Sequence, residues 1–153
     1  TCFYFTLPYK KGTTLDSENP EGINQDDFYQ WDQKNILIVE DDLSSQMYLN
    51  ELLQPTNAGI LLADNGLEAL NIVENQRNIS LILMDIQLPD IDGLELTRKI
   101  KTSHPRLPII AQTAYAMSQD RERLLNNGCD GYISKPIKPD QLFEMIHQHI
   151  SAI

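Results

Sequence analysis

Two short aliphatic runs that end in acidic residues constrain this chain more than any other feature. Residues 36–39 are followed by an acidic triplet at 40–42, and residues 81–84 are followed by Asp85. Aliphatic runs of this length, bounded by polar turns, are typical of buried strands in a parallel sheet. Ligands of open parallel sheets bind beyond the carboxyl ends of the strands. If the two strands are neighbours, their carboxylates converge and predict a divalent metal site, because close like charges are unfavourable without a cation.

Composition sets the class of protein. The chain has 153 residues, of which 41% are hydrophobic, and this is enough for one core. A formal charge of −10 argues against direct binding of nucleic acid or of an anionic membrane. Cys2 and Cys129 lie far apart without a CxxC spacing, which favours a reduced, cytoplasmic setting over a structural disulfide. No apolar run is long enough to span a bilayer, although a longer parent protein could still be anchored in a membrane.

Three segments differ in composition. Residues 1–9 are aromatic-rich and strand-like, which predicts the tail of an upstream domain. Residues 10–34 are polar and lack an apolar period, which predicts a linker. An aromatic cluster at 28–31 within this linker could dock on a neighbour or form a loose patch. Residues 35–153 are expected to form the one complete domain.

Strand-like and helix-like segments alternate through this domain. We expect five strands, at 35–40, 59–63, 80–85, 108–112 and 131–134. We expect helices at 43–53 and 66–75, a third that ends near 102, and two more at 118–127 and 139–150. Five strand–helix units predict an α/β sandwich with right-handed crossovers and helices on both faces of a parallel sheet. A flavodoxin-like, doubly wound order 2-1-3-4-5 would place strands one and three side by side.

Asp85 is the candidate reactive group. An aspartate can attack phosphorus and form an acyl phosphate, and this transfer needs Mg²⁺ and a fixed positive charge for the phosphoryl oxygens. Thr113 follows the fourth strand, and its hydroxyl could donate a hydrogen bond to a phosphoryl oxygen. Lys135 follows the fifth strand and could pair with the carboxylates or with a phosphoryl group.

Each of these residues has a structural alternative. Taken singly, an aspartate at a strand end is most often a turn residue or helix N-cap, a threonine a cap, and a lysine a surface charge. Taken together, these residues favour the functional interpretation over the structural one. Acidic residues follow strand one, an aspartate follows strand three, a threonine follows strand four and a lysine follows strand five. The pattern favours a phosphoryl-transfer site.

Four segments carry a resemblance to a known family. Residues 36–42, 83–93, 108–114 and 131–136 are similar to the motifs of receiver domains in two-component response regulators. The resemblance extends from Asn35 to about Ile150. It implies the fold predicted above and a function as a phosphoacceptor.

The resemblance also implies the acidic half of the site. Asp85 would be the phosphoacceptor, and Glu40 and Asp41 the acidic pair. Asp41, Asp85 and the backbone carbonyl of Gln87 would bind Mg²⁺, and Glu40 would help to hold it directly or through water. Asp42 stands where the family usually has a non-acidic residue, and we expect it to add negative potential without binding the metal.

The resemblance also implies which residues would contact the phosphoryl group and which would change conformation. Thr113 and Tyr132 would form a switch pair, and Lys135 would pair with the phosphoryl group. The Lys135–Pro136 peptide bond would be cis. Phosphorylation would remodel the face formed by the fourth helix, fifth strand and fifth helix.

The residue types within the motifs imply that the domain is attached to a sensor kinase. Glu40 and residues 84–87 are typical of receivers attached to sensor kinases, and residues 3–8 resemble the closing strand of a histidine-kinase ATP-binding domain. The chain therefore resembles the C-terminal part of a hybrid sensor histidine kinase. Expected partners are the phosphohistidine domain of the same parent and a histidine phosphotransfer protein or downstream regulator. A homodimer is left open, and the only activity expected of this chain is its own aspartyl phosphorylation and dephosphorylation.

Other functions compete with this one. A receiver-like scaffold that only docks partners is the main alternative, although such a scaffold would be expected to lack one of the key groups. An aspartyl-phosphate phosphatase typically needs a second carboxylate two residues after the nucleophile, where this chain has Gln87. A flavin-binding protein would need a phosphate loop after strand one, where Asp41 and Asp42 would repel the phosphate.

Overall fold

The structure is a computed structural model that describes residues 29–114 and 118–150. The predicted strand remnant at 1–9 and the linker as far as residue 28 lie outside the described residues. The strands are β1 (Asn35–Val39), β2 (Gly59–Ala63), β3 (Ile79–Asp85), β4 (Ile109–Thr113) and β5 (Gly131–Ser134). The helices are α1 (Leu43–Leu53), α2 (Gly66–Asn75), α3 (Gly93–Ser103), α4 (Ser118–Asn126) and α5 (Pro139–Ile150), with a short 3₁₀ turn at Gln54–Thr56.

The five strands form one parallel sheet in the order β2-β1-β3-β4-β5. This confirms the predicted α/β fold class and the flavodoxin-like strand order. Val39 pairs with Met84 across β1 and β3, so the residues that follow these strands lie side by side. Asp85 pairs with Gln112 across β3 and β4. The register therefore brings the strand ends named in the sequence to one edge of the sheet.

Both faces of the sheet are covered, which explains why the central strands are continuously aliphatic. Ile36 and Ile38 of β1 point into one core layer, and Leu37 and Val39 point into the other. Helices α1 and α5 close the first layer with Leu49, Leu53, Leu142, Ile146 and Ile150. Helices α2 and α3 close the second layer with Ala69, Val73, Leu96 and Ile100. No described helix is long and apolar enough to cross a membrane.

Side-chain caps begin the helices that follow β1 and β3. Asp42 accepts a hydrogen bond from the Ser45 amide at 2.8 Å and begins α1. Asp92 accepts one from the Leu94 amide at 2.7 Å and begins α3. Such caps satisfy amides that have no partner within the helix. The caps fix where α1 and α3 begin at the carboxyl edge of the sheet.

Aromatic side chains close the opposite, amino edge of the sheet. Tyr29 stacks on Phe143 with ring centroids 5.8 Å apart, and its ring lies 4.9 Å from that of His147. Trp31 is only 4% exposed, and its amide donates to the Thr56 carbonyl at 2.7 Å. We call the four ring-bearing residues the aromatic clasp. The last part of the predicted linker is thus packed against α5 and the 3₁₀ turn.

Candidate functional site

Three carboxylates converge at the carboxyl edge of the sheet. One oxygen from each of Glu40, Asp41 and Asp85 lies within 4.8 Å of the others. Glu40 is 1% exposed and Asp85 is 6% exposed, whereas Asp41 faces solvent. The convergence follows from the pairing of β1 with β3, as the sequence pattern predicts. An all-oxygen set of this kind fits Mg²⁺, which takes one or two protein carboxylates and keeps several waters.

Lys135 joins two of these carboxylates. Its Nζ donates to Glu40 Oε2 at 2.8 Å and to Asp85 Oδ2 at 2.7 Å. The side chain enters from the end of β5, two strands away from β3, and its bond to Pro136 is cis. One ammonium group thus offsets the repulsion between two buried acids.

The protonation of this pair reflects burial and charge. Burial raises the pKa of Glu40, and the hydrogen bond and charge of Lys135 offset this only in part. Burial lowers the pKa of Lys135, but hydrogen bonds and charges from Asp85 and Glu40 outweigh that effect and raise it. Lys135 is therefore held as an ammonium group at neutral pH.

Both oxygens of Asp85 have defined partners. Oδ2 accepts from Lys135, and Oδ1 accepts from the backbone amide of Gln87 at 2.9 Å. These two donors fix the plane of the carboxylate. The amide of Gln87 is therefore a further contact of the site, distinct from the carbonyl group predicted to bind metal.

A glycine allows α3 to begin against the reactive strand. Gly93 donates its amide to the Ile86 carbonyl at 2.9 Å. A Cβ atom at this position would overlap the backbone carbonyl oxygen of Asp85. Any larger residue would displace the end of β3, so the Asp-Gly pair at 92–93 is needed for the geometry of the site.

The predicted switch residues lie in different surroundings. Thr113 is half-buried at the end of β4, one residue beyond the partner of Asp85. Tyr132 is also half-buried, and it packs on a cluster that includes Leu124 of α4. The structure therefore brings together Glu40, Asp41, Asp85, Gln87 and Lys135, places Thr113 at the adjoining strand end, and places Tyr132 on the α4 side.

Sequence reasoning missed two polar residues beside the acidic pocket. Gln46 of α1 is 5% exposed, and its Nε2 donates to the Glu40 carbonyl at 3.3 Å and to Asp64 Oδ1 at 3.0 Å. Asp64 directly follows β2, so the rule applied to the other strand ends could have identified it. Nothing in the local pattern around Gln46 predicts its inward orientation. Asp42, by contrast, caps α1, and the Ser45 amide lowers its pKa.

An apolar surface adjoins the pocket. Leu43, Met47 and Tyr48 of α1 are 66%, 55% and 41% exposed. The Tyr48 hydroxyl donates to the Ile137 carbonyl at 3.2 Å, which ties α1 to the loop that carries Lys135. A groove of about 380 Å³ lies between α1 and this loop, and Lys135 is among its lining residues. A partner bound here would lie next to Asp85.

Comparisons with known proteins agree with this geometry. The family model of the response regulator receiver domain matches residues 36–147. The polar-differentiation response regulator DivK of Brucella anthropi is 40% identical over 119 residues, which cover 76% of this chain and 96% of that protein.

Solved structures are similar as well. The receiver domain of a sensor histidine kinase from Pseudomonas aeruginosa PAO1, with a magnesium ion coordinated in its active-site cleft, is 36% identical with a TM-score of 0.70. The match covers 76% of this chain and 97% of that one. A co-crystal structure of the Saccharomyces cerevisiae histidine phosphotransfer protein Ypd1 with the receiver domain of Ssk1 matches at 30% identity, a TM-score of 0.72, and 80% and 90% coverage. The chain therefore belongs to the response regulator receiver domain family of two-component signalling.

Proposed function

We propose that Asp85 accepts a phosphoryl group from a phosphohistidine and that this domain is the receiver of a hybrid sensor histidine kinase in a cytoplasmic phosphorelay. The observation that carries the proposal is the environment of Asp85, whose two oxygens are held by Lys135 and by the Gln87 amide. Buried carboxylates with this much electrostatic support are suited to chemistry on phosphorus. The 36% identity to the receiver of a sensor histidine kinase supports the hybrid parent.

In the proposed reaction, a carboxylate oxygen of Asp85 attacks the phosphorus atom of the phosphohistidine in line. The new P–O bond forms as the P–N bond breaks, and the imidazole leaves as a neutral base once it has taken up a proton. Lys135 is already within hydrogen-bonding distance of Asp85 and would follow the negative charge onto the phosphoryl oxygens. The Thr113 hydroxyl would donate to one of these oxygens.

The metal site has a defined set of candidate ligands. Asp41, Asp85 and the Gln87 carbonyl would hold Mg²⁺, with Glu40 beside them, and the close approach of the three carboxylates supports this assignment. When bound, Mg²⁺ would supply positive charge that screens the phosphoryl oxygens from the carboxylates. Lys135 offsets part of the negative charge in the absence of the metal.

The proposed output is a shift between two conformations. Movement of Thr113 toward the phosphoryl group would free space for Tyr132 to turn inward, and the surface formed by α4, β5 and α5 would change. The present position of Tyr132 against the cluster with Leu124 is the starting state in this scheme.

The apolar surface beside the pocket supports a relay. We expect the phosphohistidine domain of the parent, and a histidine phosphotransfer protein, to dock on Leu43, Met47 and Tyr48. Exposed apolar patches rimmed by polar groups mark protein interaction sites. The yeast complex of a phosphotransfer protein with a similar receiver domain supports a partner of this kind.

A labelling experiment tests the proposal. The chain is incubated with Mg²⁺ and acetyl phosphate, and the covalent phosphoryl group is measured by intact mass. We expect labelling of the natural chain and of Asp140→Asn, which removes an acidic residue at the start of α5, but no labelling of Asp85→Asn. Unchanged labelling of Asp85→Asn would reject Asp85 as the acceptor. No labelling of the natural chain would favour the phosphorylation-independent docking scaffold.

A further inference from the structure

The loop between β3 and α3 is attached to a second element of the fold. Asp90, in this loop, accepts hydrogen bonds from the amides of Gly66 and Leu67, through Oδ1 and Oδ2 respectively, each at 2.9 Å. These amides belong to the first turn of α2 and have no partner within that helix. The bond from the Gly66 amide lowers the pKa of Asp90, so the carboxylate is ionised at neutral pH.

Asp90 is not the N-cap residue of α2. Asn65 already caps the helix by accepting from the Glu68 amide at 2.9 Å. The Glu68 side chain in turn accepts from the Asp64 amide at 2.9 Å. Asp90 adds two bonds from a segment 24 residues away in sequence, so its main structural consequence is to join the loop to α2.

Packing beside Asp90 strengthens the same attachment. A Cβ atom at Gly66 would overlap Cγ2 of Ile91, so the loop lies directly on the first residue of α2. Gly66 is buried, and Ile91 packs against the core layer under α2 and α3. The far end of the loop therefore has both polar and apolar contacts with α2.

The near end of the loop contacts the reactive carboxylate. The Gln87 amide donates to Asp85 Oδ1 at 2.9 Å, and Gln87 also forms an antiparallel bridge with Asp92. Only two residues separate Gln87 from Asp90. A loop this short transmits a displacement of one end to the other, because few backbone dihedrals lie between them.

We infer that Asp90 is a positioning residue for the acidic pocket. By binding the first amides of α2, it holds the β3–α3 loop so that the Gln87 amide meets Asp85 Oδ1. The consequence for metal binding rests on the proposed function of the pocket, whereas the positioning of the Gln87 amide does not. Without Asp90, the loop loses its two polar attachments, and the Gln87 amide opens to solvent more often.

The experiment compares two ways of weakening the start of α2. Asp90→Ala removes the attachment of the loop, and Asn65→Ala removes the cap of the same helix without touching the loop. Amide hydrogen exchange at Gln87 is measured by NMR on the metal-free chain, and Mg²⁺ affinity is measured by titration. We expect Asp90→Ala to speed exchange at Gln87 by about tenfold and to weaken Mg²⁺ binding by roughly tenfold. Asn65→Ala should leave both within about twofold, and Asp90→Asn should give intermediate values because it keeps one acceptor oxygen.

The outcomes separate this inference from the proposed function. Unchanged exchange at Gln87 in Asp90→Ala, or an equal change in Asn65→Ala, would overturn the positioning role. Thermal unfolding of both variants shows whether each is folded, and Asp90→Asn provides the milder change if Asp90→Ala is not. If the natural chain binds no Mg²⁺ but Asp90→Ala still exposes the Gln87 amide, the positioning role holds and the proposed metal site fails.

Discussion

The two edges of the sheet differ in the kind of side chain that they bury. At the carboxyl edge, Glu40 and Asp85 are buried carboxylates that share one ammonium group as their counter-charge. At the amino edge, Trp31 and Tyr29 bury apolar rings against α5. A small domain can therefore hold an unfavourable cluster of charges at one edge of its sheet. Apolar packing at the other edge contributes stability and has no part in the reaction.

We expect the two edges to respond differently to substitution, because the reactive groups and the stabilising rings lie at different edges. Substitutions at the acidic pocket should change phosphorylation strongly, with effects on stability of either sign. Substitutions in the aromatic clasp should lower stability and leave phosphorylation of the folded chain unchanged. Single substitutions at each edge can test whether stability and phosphorylation depend on different groups.

Removal of the most buried ring of the aromatic clasp should have the largest effect on stability. Trp31→Ala should lower the free energy of unfolding by roughly 3 kcal/mol, because the ring is 4% exposed and lies against Phe143. Urea unfolding monitored by circular dichroism measures this loss, and Trp31→Phe should lose less. A normal rate of labelling by acetyl phosphate is expected wherever Trp31→Ala is folded. A loss of labelling by that folded variant would contradict the separation.

Removal of the ammonium group should affect both properties. Lys135→Met should lower the free energy of unfolding by about 2 kcal/mol, since two buried acids lose their counter-charge. The loss is smaller than for a fully buried pair because the lysine side chain is 29% exposed. Labelling should also slow strongly, which can be followed in the same samples. Lys138→Met, an exposed lysine after β5, is the matched control, and an equal effect there would reject the role of Lys135.

Gln112 tests whether a buried polar group next to the carboxyl edge costs stability. Its side chain is fully buried on β4, and its amide finds no hydrogen-bond partner among the residues the structure describes. Gln112→Met keeps the shape without the polar atoms and should raise the free energy of unfolding by about 1 kcal/mol. Chemical unfolding measures the change. A loss of similar size would show that the amide does have a partner.

The smallest effect is expected from pH. The pKa of Asp90 lies below its ordinary value of 3.8, so the folded chain binds this proton less readily than the unfolded chain. Its contribution is therefore fully present above that value and is lost as the pH falls through the lower pKa of the folded state. The stability difference between the natural chain and Asp90→Asn should therefore stay constant from neutral pH down to about pH 4 and shrink as the pH falls further. A difference for Asp90→Asn that stays constant below about pH 4 would contradict the prediction.

The sequence predicted one edge better than the other for a physical reason. Each group at the carboxyl edge directly follows its own strand, and parallel pairing brings such positions together wherever the strands are neighbours. Glu40, Asp85 and Lys135 could therefore be assigned to one pocket from motifs alone. Gln46 could not, because its inward orientation depends on a contact with Asp64 from a different strand end.

The amino edge was less predictable because its contacts are not local. Trp31 stands in a polar segment that reads as a linker, and its burial depends on Phe143, more than a hundred positions later. Tyr132 was assigned to the switch by resemblance, but its packing against Leu124 depends on where α4 lies. Most predicted strand and helix limits agree with the structure and the others differ by one residue, because turn residues mark them.

Chemical trapping of the phosphorylated residue shows directly whether Asp85 is the phosphoacceptor. The chain is treated with Mg²⁺ and acetyl phosphate and then with borohydride, which reduces an acyl phosphate to the alcohol, and the modified peptide is sequenced by mass spectrometry. We expect homoserine at position 85, and only in samples that contained Mg²⁺. Modification at Asp41 or at another carboxylate instead would contradict it, because the hydrogen bonds from Lys135 and Gln87 would then hold a carboxylate that does not react.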